Sequence, residues 1–291
     1  MQGLSDIKTV KKILSKYGFT FSKAMGQNFL CDPFVCPQMA EMSDISEGWA
    51  AIEIGPGIGV LTAELAKRAD KVIAIELDTR LKPVLEETLA EFDNVEVIFA
   101  DCMKIDLHSL INDKLKGKKV AVCANLPYYI TSPIIMMLLE QRLPIQSITA
   151  MVQKEAGERI CAKVGTRQSG AVTVAVDHYS KADILFDVGR ECFIPSPNVD
   201  SCVIRLEIRE NPQYDIKDEK LFFSIVKSGF SQRRKVISNS LLAGAGIGKE
   251  SLLRAISNAG LKPNDRIEAL DMQSLCTLSN EILKERNYEN K

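Results

Sequence analysis

Short apolar segments alternate with segments of helical spacing from Trp49 to about Glu210, and this alternation constrains the fold more than any other feature of the chain. Seven of the apolar segments are predicted as strands: Ala50–Ile54, Lys71–Glu76, Val95–Ala100, Lys119–Ala124, Ile145–Val152, Ala182–Val188 and Val199–Ile208. Strands that alternate with helices are typical of an α/β domain built on a mostly parallel sheet.

The pair Asn211-Pro212 ends this alternation. Beyond it, four segments have helical spacing and none has a clear strand pattern: Lys220–Gly229, Val236–Leu242, Lys249–Ala259 and Gln273–Arg286. We therefore predict an α/β domain with an N-terminal helical segment at residues 1–210 and a small all-helical domain at residues 211–291.

Composition excludes several classes of protein. The 291 residues carry 37 Lys and Arg against 38 Asp and Glu, a net charge of −1. No apolar run approaches the roughly 18 residues of a membrane span, and the polar N-terminus has no signal-peptide core, so we expect a cytoplasmic protein without a membrane partner. The eight cysteines include no C-x-x-C pair and only two histidines accompany them, so we expect no metal site.

A glycine-rich loop, Glu53-Ile-Gly-Pro-Gly-Ile-Gly59, joins the first strand to a helix. Glycines at 55, 57 and 59 let the backbone approach a ligand closely, although such a loop alone can also be a tight turn. Glu76 ends the second strand, where a carboxylate can accept both ribose hydroxyls of an adenosine, and Asp101 follows the third, where it can accept from the adenine amine. Alternatively, each of these two carboxylates caps a helix or lies at a solvated strand end. Because open α/β sheets bind ligands at these strand ends, the three features together predict a nucleoside site.

The loop spacing favours S-adenosylmethionine over a dinucleotide. The dinucleotide fingerprint is G-x-G-x-x-G, whereas this loop is G-x-G-x-G followed by Val60. Glu53 would repel a pyrophosphate and could hold the cationic amine of a methionine. An NAD-dependent oxidoreductase, the alternative, needs an acid/base residue for hydride transfer that the sequence does not reveal.

The tetrapeptide Asn125-Leu-Pro-Tyr128 follows the fourth strand. In isolation it is an ordinary turn. Beside a methyl donor, the Asn125 oxygen and the Leu126 or Pro127 carbonyl could accept the two N–H bonds of an adenine amine and orient it for attack, while Tyr128 stacks on the base. A strong general base is unnecessary because the methylated ammonium is acidic.

These features, with four further motifs, closely resemble the small-subunit ribosomal RNA adenine dimethyltransferases. The motifs occur in this order: Gly26-Gln-Asn-Phe-Leu30, Glu53-Ile-Gly-Pro-Gly-Ile-Gly59, Ile75-Glu76-Leu-Asp78, Asp101, Asn125-Leu-Pro-Tyr128, Gln153-Lys-Glu155, Phe193-Ile-Pro-Ser-Pro-Asn-Val-Asp-Ser201 and Phe230-Ser-Gln-Arg-Arg-Lys235. Any one of them can arise by chance, but their joint order and spacing are specific.

The resemblance implies a class I, Rossmann-like methyltransferase sheet that ends in an antiparallel hairpin, followed by the helical domain. It implies dimethylation of two adjacent adenosines in the 3′-terminal hairpin loop of 16S rRNA, late in assembly of the small ribosomal subunit, and we expect a monomer. The residues implied to bind S-adenosylmethionine are Asn28, Leu30, Gly55, Glu76, Asp101 and Asn125, and the chemistry of the glycine loop adds Glu53 and Gly57. Those implied to hold the flipped adenine are Asn125, Pro127, Tyr128 and Phe193, with Phe193 stacking opposite Tyr128.

A nearly neutral protein that binds RNA must concentrate its cations. The run from 227 to 235 supplies Lys227, Arg233, Arg234 and Lys235 with no acid among them, and the helix predicted after the fifth strand supplies Lys154 and Arg159. On charge alone, these runs are interpreted as solvent-exposed faces. The resemblance instead favours their contact with RNA.

Two alternatives remain at this point. One is the antibiotic-resistance type of enzyme, which methylates a large-subunit adenosine; the long helical C-terminus and the Phe193–Ser201 string favour the small-subunit type. The other is a binding protein, an assembly checkpoint or transcription accessory factor that kept the fold without needing catalysis. The intact residues Asn125, Tyr128 and Glu76 favour retained activity, and the two roles can coexist.

Overall fold

The computed structural model describes Leu4, residues 6–21 and residues 27–289. The chain forms two compact units, one of Met1–Gly157 with Ala182–Ile208 and the other of Glu158–Lys181 with Arg209–Lys291. No helix in the described ranges is both long and apolar enough to cross a bilayer.

The first unit is built on a seven-stranded sheet in the order β4-β3-β2-β5-β6-β9-β7. Its strands are β2 (Trp49–Ile54), β3 (Lys71–Glu76), β4 (Val95–Phe99), β5 (Lys119–Asn125), β6 (Ser147–Gln153), β7 (Ser180–Val188) and β9 (Ser201–Ile208). The neighbours from β4 to β6 are parallel, and β9 runs antiparallel to β6. The predicted α/β fold is confirmed.

A separate antiparallel pair lies outside this sheet. It joins β1 (Phe29–Leu30) to β8 (Phe193–Ile194), with Leu30 opposite Phe193. The pair therefore links the motif that begins the methyltransferase resemblance to the string that ends at Ser201. Gly26, the first residue of that motif, lies outside the described residues.

Among the residues that the structure describes, seven α-helices accompany these strands. They are α1 (Ile7–Lys16), α2 (Val35–Glu41), α3 (Val60–Ala66), α4 (Lys82–Thr88), α5 (Leu107–Lys114), α6 (Thr131–Glu140) and α7 (Lys154–Ile160). Helix α1 begins where the Asp6 carboxylate accepts the Thr9 N–H at 3.0 Å, a common N-cap arrangement. Its apolar stripe of Val10, Ile13 and Leu14 is buried in the same cluster as Phe29.

The central strands β2, β3 and β5 are buried almost throughout, as expected for a parallel sheet covered on both faces. Because β2, β3, β4 and β5 are parallel, their carboxyl ends meet at one edge of the sheet. That edge places the glycine loop, Glu76, Asp101 and Asn125 next to one another.

The second unit is helical. Its helices are α8 (Ala171–Tyr179), α9 (Glu219–Ser231), α10 (Ile237–Ser240), α11 (Leu242–Ala245), α12 (Lys249–Asn258) and α13 (Met272–Glu289). Val164 and Val174 belong to its apolar cluster together with Phe222, which explains why residues 158–181 join this unit although the sequence assigned them to the α/β domain. The predicted ranges of two functional domains stay a prediction.

Candidate active site

A cavity opens at the carboxyl edge of strands β2 to β5. The predicted site residues that line it are Asn28, Leu30, Glu53, Gly55, Gly57, Glu76, Asp101, Asn125, Pro127 and Tyr128. The structure therefore brings together every residue predicted to bind the cofactor and three of the four predicted to hold the target base.

The glycine loop needs glycine for its backbone conformation. Gly55, Gly57 and Gly59 have φ angles of 73°, 59° and 88°, in the left-handed region that side chains disfavour. A Cβ at Gly57 would also lie 2.9 Å from Cε1 of Phe29. The loop thus keeps bare backbone at the wall of the cavity.

The carboxylate of Glu76 connects the loop to the end of β3. Its Oε2 accepts the Gly57 N–H at 3.2 Å and its Oε1 accepts the Asp78 N–H at 2.8 Å. Burial raises the pKa of Glu76, and the backbone N–H groups of Asp78 and Gly57 oppose that rise. Each oxygen keeps a further lone pair, so this carboxylate can accept two vicinal hydroxyls.

Glu53 is a buried carboxyl on the wall of the same cavity. It is 1% exposed, and its Oε2 has no hydrogen-bond partner among the described residues. Burial raises the pKa of Glu53 to about 8; the Thr62 hydroxyl opposes the rise and the Glu76 carboxylate adds to it. Glu53 is therefore mostly neutral at pH 7 in the free protein, whereas the sequence suggested a ready anion. An unpaired buried oxygen is nevertheless what an ammonium group would satisfy.

Asp101 lies just beyond β4. Its Oδ1 accepts the Met103 N–H at 3.0 Å and its Oδ2 lies 3.3 Å from the exposed Lys104 ammonium. These contacts hold the carboxylate at the rim of the cavity, and it retains lone pairs for an amino group.

The tetrapeptide leaves strand β5 at Asn125. The Asn125 amide nitrogen donates a long hydrogen bond of 3.5 Å to the Asn28 carbonyl, so its Oδ1 remains as an acceptor. The Pro127 carbonyl accepts from the Ile130 N–H and from the Thr131 hydroxyl, both at 3.2 Å. Since both lone pairs of Pro127 are used, Leu126 offers the better backbone acceptor of the two carbonyls considered from the sequence.

Tyr128 lines the cavity, and its hydroxyl contacts another side chain. The hydroxyl lies 2.7 Å from the Oγ of Ser201. Burial raises the pKa of Tyr128, with the Ser201 hydrogen bond acting the other way, so the phenol is protonated at neutral pH. A neutral aromatic face suits a stacked base.

Phe193 is the predicted base-site residue that the structure places elsewhere. Its ring is 3% exposed and belongs to the apolar cluster of Leu30 and Val203, and it is absent from the cavity lining. The pairing of β1 with β8 draws it into the core, which local sequence does not show. Stacking of Phe193 on the target base stays a prediction.

The predicted RNA-binding cations differ in their surroundings. Lys227, Arg234 and Lys235 are exposed. The Arg233 guanidinium instead contacts the Glu268 carboxylate and donates to the Arg167 carbonyl at 2.7 Å. Arg233 therefore makes structural contacts within the helical unit, whereas Arg234 and Lys235 are exposed.

The helix after β6 carries the other two predicted cations. The Lys154 ammonium lies 2.6 Å from the half-exposed Asp187 carboxylate, and Arg159 is exposed on α7. Exposed ion pairs contribute little stability.

Two residues of the quoted motifs have structural roles that the sequence did not reveal. The Asp78 carboxylate accepts from Gln27 Nε2 at 2.7 Å and from Arg80 Nε at 2.8 Å. This contact ties the N-terminal motif to the strand end that carries Glu76. The only sequence signal for this contact is that Gln27 and Asp78 both belong to motifs quoted for the family resemblance.

The residues at this site fit S-adenosylmethionine. Glu76 can accept ribose hydroxyls, Asp101 can accept an adenine amine, and the unpaired oxygen of Glu53 can accept an ammonium. With its parallel strands β4 to β6 and the antiparallel strand β9 beside β6, the chain has the architecture of a class I S-adenosylmethionine-dependent methyltransferase.

Comparison with known proteins places the chain within that class. The family model described as ribosomal RNA adenine dimethylase matches residues 18–284, and the chain belongs to this family. It is an S-adenosylmethionine-dependent rRNA adenine dimethyltransferase, and the oxidoreductase alternative is wrong.

Two relatives share nearly the full length. The protein named ribosomal RNA small subunit methyltransferase A from Geobacillus thermodenitrificans is 46% identical over 277 residues, 94% of each chain. The protein of the same name from Alkaliphilus oremlandii is 46% identical over 285 residues, 98% of this chain and 99% of its own.

Solved structures share the architecture. The 23S rRNA methyltransferase ErmE aligns with a TM-score of 0.66 at 27% identity, over 88% of this chain and 99% of its own. A dimethyladenosine transferase from Plasmodium falciparum aligns with a TM-score of 0.73 at 24% identity, over 89% and 98%, which supports the fold.

Proposed function

We propose that this enzyme dimethylates the N6 amines of two adjacent adenosines in the 3′-terminal hairpin loop of 16S rRNA, late in assembly of the small ribosomal subunit. The relatives named for the small subunit are 46% identical over almost the whole chain, whereas the 23S rRNA enzyme ErmE is 27% identical. This difference favours the small subunit over the large one. The proposal includes action as a monomer in the cytoplasm.

The observation that carries the proposal is the meeting of two half-sites in one cavity. Gly55, Gly57, Glu76 and Asp101 supply the groups that suit a nucleoside, and the tetrapeptide supplies those that suit an adenine amine. Both sets lie at the carboxyl edge of the parallel strands, where methyl donor and acceptor must meet.

The cofactor half of the site is assigned residue by residue. Glu76 accepts the two ribose hydroxyls, Asp101 accepts the adenine amine, and Glu53 receives the methionine ammonium. That cation favours ionised Glu53 and so lowers its pKa from the value in the free protein. The backbone of Gly55 and Gly57 forms the wall, and Asn28, just before β1, and Leu30, within it, line the site.

In the target half, Asn125 Oδ1 and the Leu126 carbonyl accept the two N–H bonds of the adenine amine. Holding both protons draws the nitrogen out of conjugation with the ring and directs its lone pair toward the donor. When bound, S-adenosylmethionine supplies an electrophilic methyl group. No residue of the chain has to act as a strong base, because the methylated ammonium loses its proton readily to solvent.

Tyr128 holds the flipped base by stacking on it. Pro127 shapes the turn, since its carbonyl is occupied by Ile130 and Thr131. Stacking by Phe193 from the other side requires its ring to leave the core.

The exposed cations Lys227, Arg234 and Lys235, together with Lys154 and Arg159, are proposed to contact RNA phosphates. Contacts of this kind supply most of the affinity for a large RNA but little of the choice of base. The tetrapeptide, in contrast, affects the rate of methyl transfer and not the affinity for RNA.

The test is methyl transfer from radiolabelled S-adenosylmethionine to purified ribosomal subunits that lack the modification. We expect label in N6,N6-dimethyladenosine of small-subunit rRNA and none in large subunits assayed in parallel. Label confined to large subunits would support the resistance-type alternative. Tight binding to small subunits without any label would support the pure binding factor.

A further inference from the structure

The string Phe193–Ser201 ends in a residue to which neither the motifs nor the proposed function assigns a role. Ser201 is the first residue of β9 and is 0% exposed. Its Oγ lies 2.7 Å from the hydroxyl of Tyr128, 73 residues away in the sequence. The contact joins the antiparallel strand of the sheet to the residue proposed to stack on the target base.

The sheet fixes the position of the Ser201 hydroxyl. Ser201 lies opposite Gln153 in the β6–β9 pair. The preceding residue, Asp200, accepts the Lys154 N–H through its carbonyl at 3.0 Å and the Arg190 N–H through its carboxylate at 3.1 Å. A serine side chain has a single carbon between backbone and hydroxyl, so a fixed backbone confines the hydroxyl to the few staggered χ1 positions.

Tyr128 needs such an anchor because of where it lies. It begins a single-turn 3-10 helix, Tyr128–Ile130, at the mouth of the cavity, and its side chain is half-buried. The Pro127 carbonyl holds the backbone end through Ile130 and Thr131. The hydrogen bond to Ser201 holds the far end of the ring. Two fixed ends set the axis of the ring, and because a phenol O–H lies in the plane of its ring, the direction of this hydrogen bond also restricts the plane.

We propose that Ser201 is a positioning residue for methyl transfer: through the Tyr128 hydroxyl it fixes the ring plane on which the target adenine stacks. The inference rests on the proposed function, since it requires Tyr128 to hold the base. A ring with a preset plane places the amine against Asn125 without further ordering, and misplacement by a fraction of an ångström slows a reaction that depends on alignment.

Burial alone does not account for this hydroxyl. Ser147 lies on the neighbouring strand β6, is 1% exposed, and its Oγ has no hydrogen-bond partner among the described residues. Ser147 thus resembles Ser201 in residue type, burial and sheet, but lacks the contact with Tyr128. It provides a matched control for the loss of a buried serine hydroxyl.

The experiment measures single-turnover methylation at saturating small subunits, together with S-adenosylmethionine affinity and thermal stability. Ser201→Ala is expected to slow transfer about 3- to 10-fold, the range for loss of one neutral hydrogen bond. Cofactor affinity and subunit binding should stay the same. Ser147→Ala should react at the normal rate, and Ser201→Thr, which keeps the hydroxyl, should restore most of the rate.

A double-mutant cycle separates positioning from a general structural role. Tyr128→Phe removes the same hydrogen bond from the other side, so it remains informative even if Ser201→Ala folds poorly. If the inference holds, Tyr128→Phe slows transfer as much as Ser201→Ala, and the double variant is no slower than either.

Two outcomes would overturn the inference, and they bear differently on the proposed function. If Tyr128→Ala loses activity while the effects of Ser201→Ala and Tyr128→Phe simply add, Ser201 does not act through the tyrosine and the target site stands. If Tyr128→Ala reacts at the normal rate, the proposed stacking role and the role of Ser201 both fall.

Discussion

Replacing Glu53 with glutamine is expected to stabilise the ligand-free protein, and to do so more strongly as the pH rises. Burial, opposed by the Thr62 hydroxyl and reinforced by the Glu76 carboxylate, raises the pKa of Glu53 from 4.5 to about 8. Between these values the folded protein binds this proton while the unfolded chain has released it, so the contribution of Glu53 to the free energy of unfolding falls as the pH rises. The full rise corresponds to about 5 kcal/mol at most. Glutamine resembles the protonated carboxyl but does not titrate, so its contribution to the free energy of unfolding does not fall as the pH rises.

Urea unfolding of the wild type and of Glu53→Gln at intervals from pH 5 to pH 9 measures the effect. The difference in the free energy of unfolding should grow in favour of Glu53→Gln up to about pH 8 and then level off. Glu86→Gln, which changes an exposed glutamate on α4, serves as the control for loss of one carboxylate. A difference that stays constant across this range would show that Glu53 is ionised in the folded protein throughout, and the burial argument would be refuted.

Three further predictions concern binding. Glu76→Ala should lose two charge-assisted hydrogen bonds to the ribose, each worth about 1.5–3 kcal/mol before compensation, and calorimetry should show at least a tenfold weaker cofactor affinity; unchanged affinity would mean that the ribose lies elsewhere. Gly57→Ala should also weaken cofactor binding in the same assay, because it strains the loop and crowds the wall of the cavity; normal affinity would show that the loop can adjust. Alanine at Lys227, Arg234 and Lys235 together should flatten the salt dependence of subunit binding by about 0.7–0.9 log units per lost contact, and an unchanged slope would assign these residues to a solvated face.

The sequence predicts the sheet and most of the cavity because both depend on local patterns. Buried parallel strands are short apolar runs, and the loop, Glu76 and Asn125 each follow such a run directly. Once the strands are parallel, their carboxyl ends must meet at one edge, so neighbouring residues in space can be inferred without knowing any side-chain packing.

The remaining features depend on contacts between distant parts of the chain. The burial of Phe193 follows from the pairing of β1 with β8, and the contact of Ser201 with Tyr128 follows from the antiparallel placement of β9. The protonation state of Glu53 depends on how completely the fold excludes water from its carboxyl group. None of these has a local signature in composition or spacing, and the Arg233 contact with Glu268 likewise cannot be distinguished by sequence from a free cation.

Asn125 is proposed above all to act on the target amine and not on the RNA as a whole. The most direct measurement compares single-turnover methylation with subunit pelleting for Asn125→Ala. Phosphate contacts dominate affinity for a large RNA, so binding should stay normal, whereas loss of a positioned polar group should slow transfer by about 10²-fold or more. Methylation at the normal rate would contradict the account and leave the tetrapeptide as an ordinary turn.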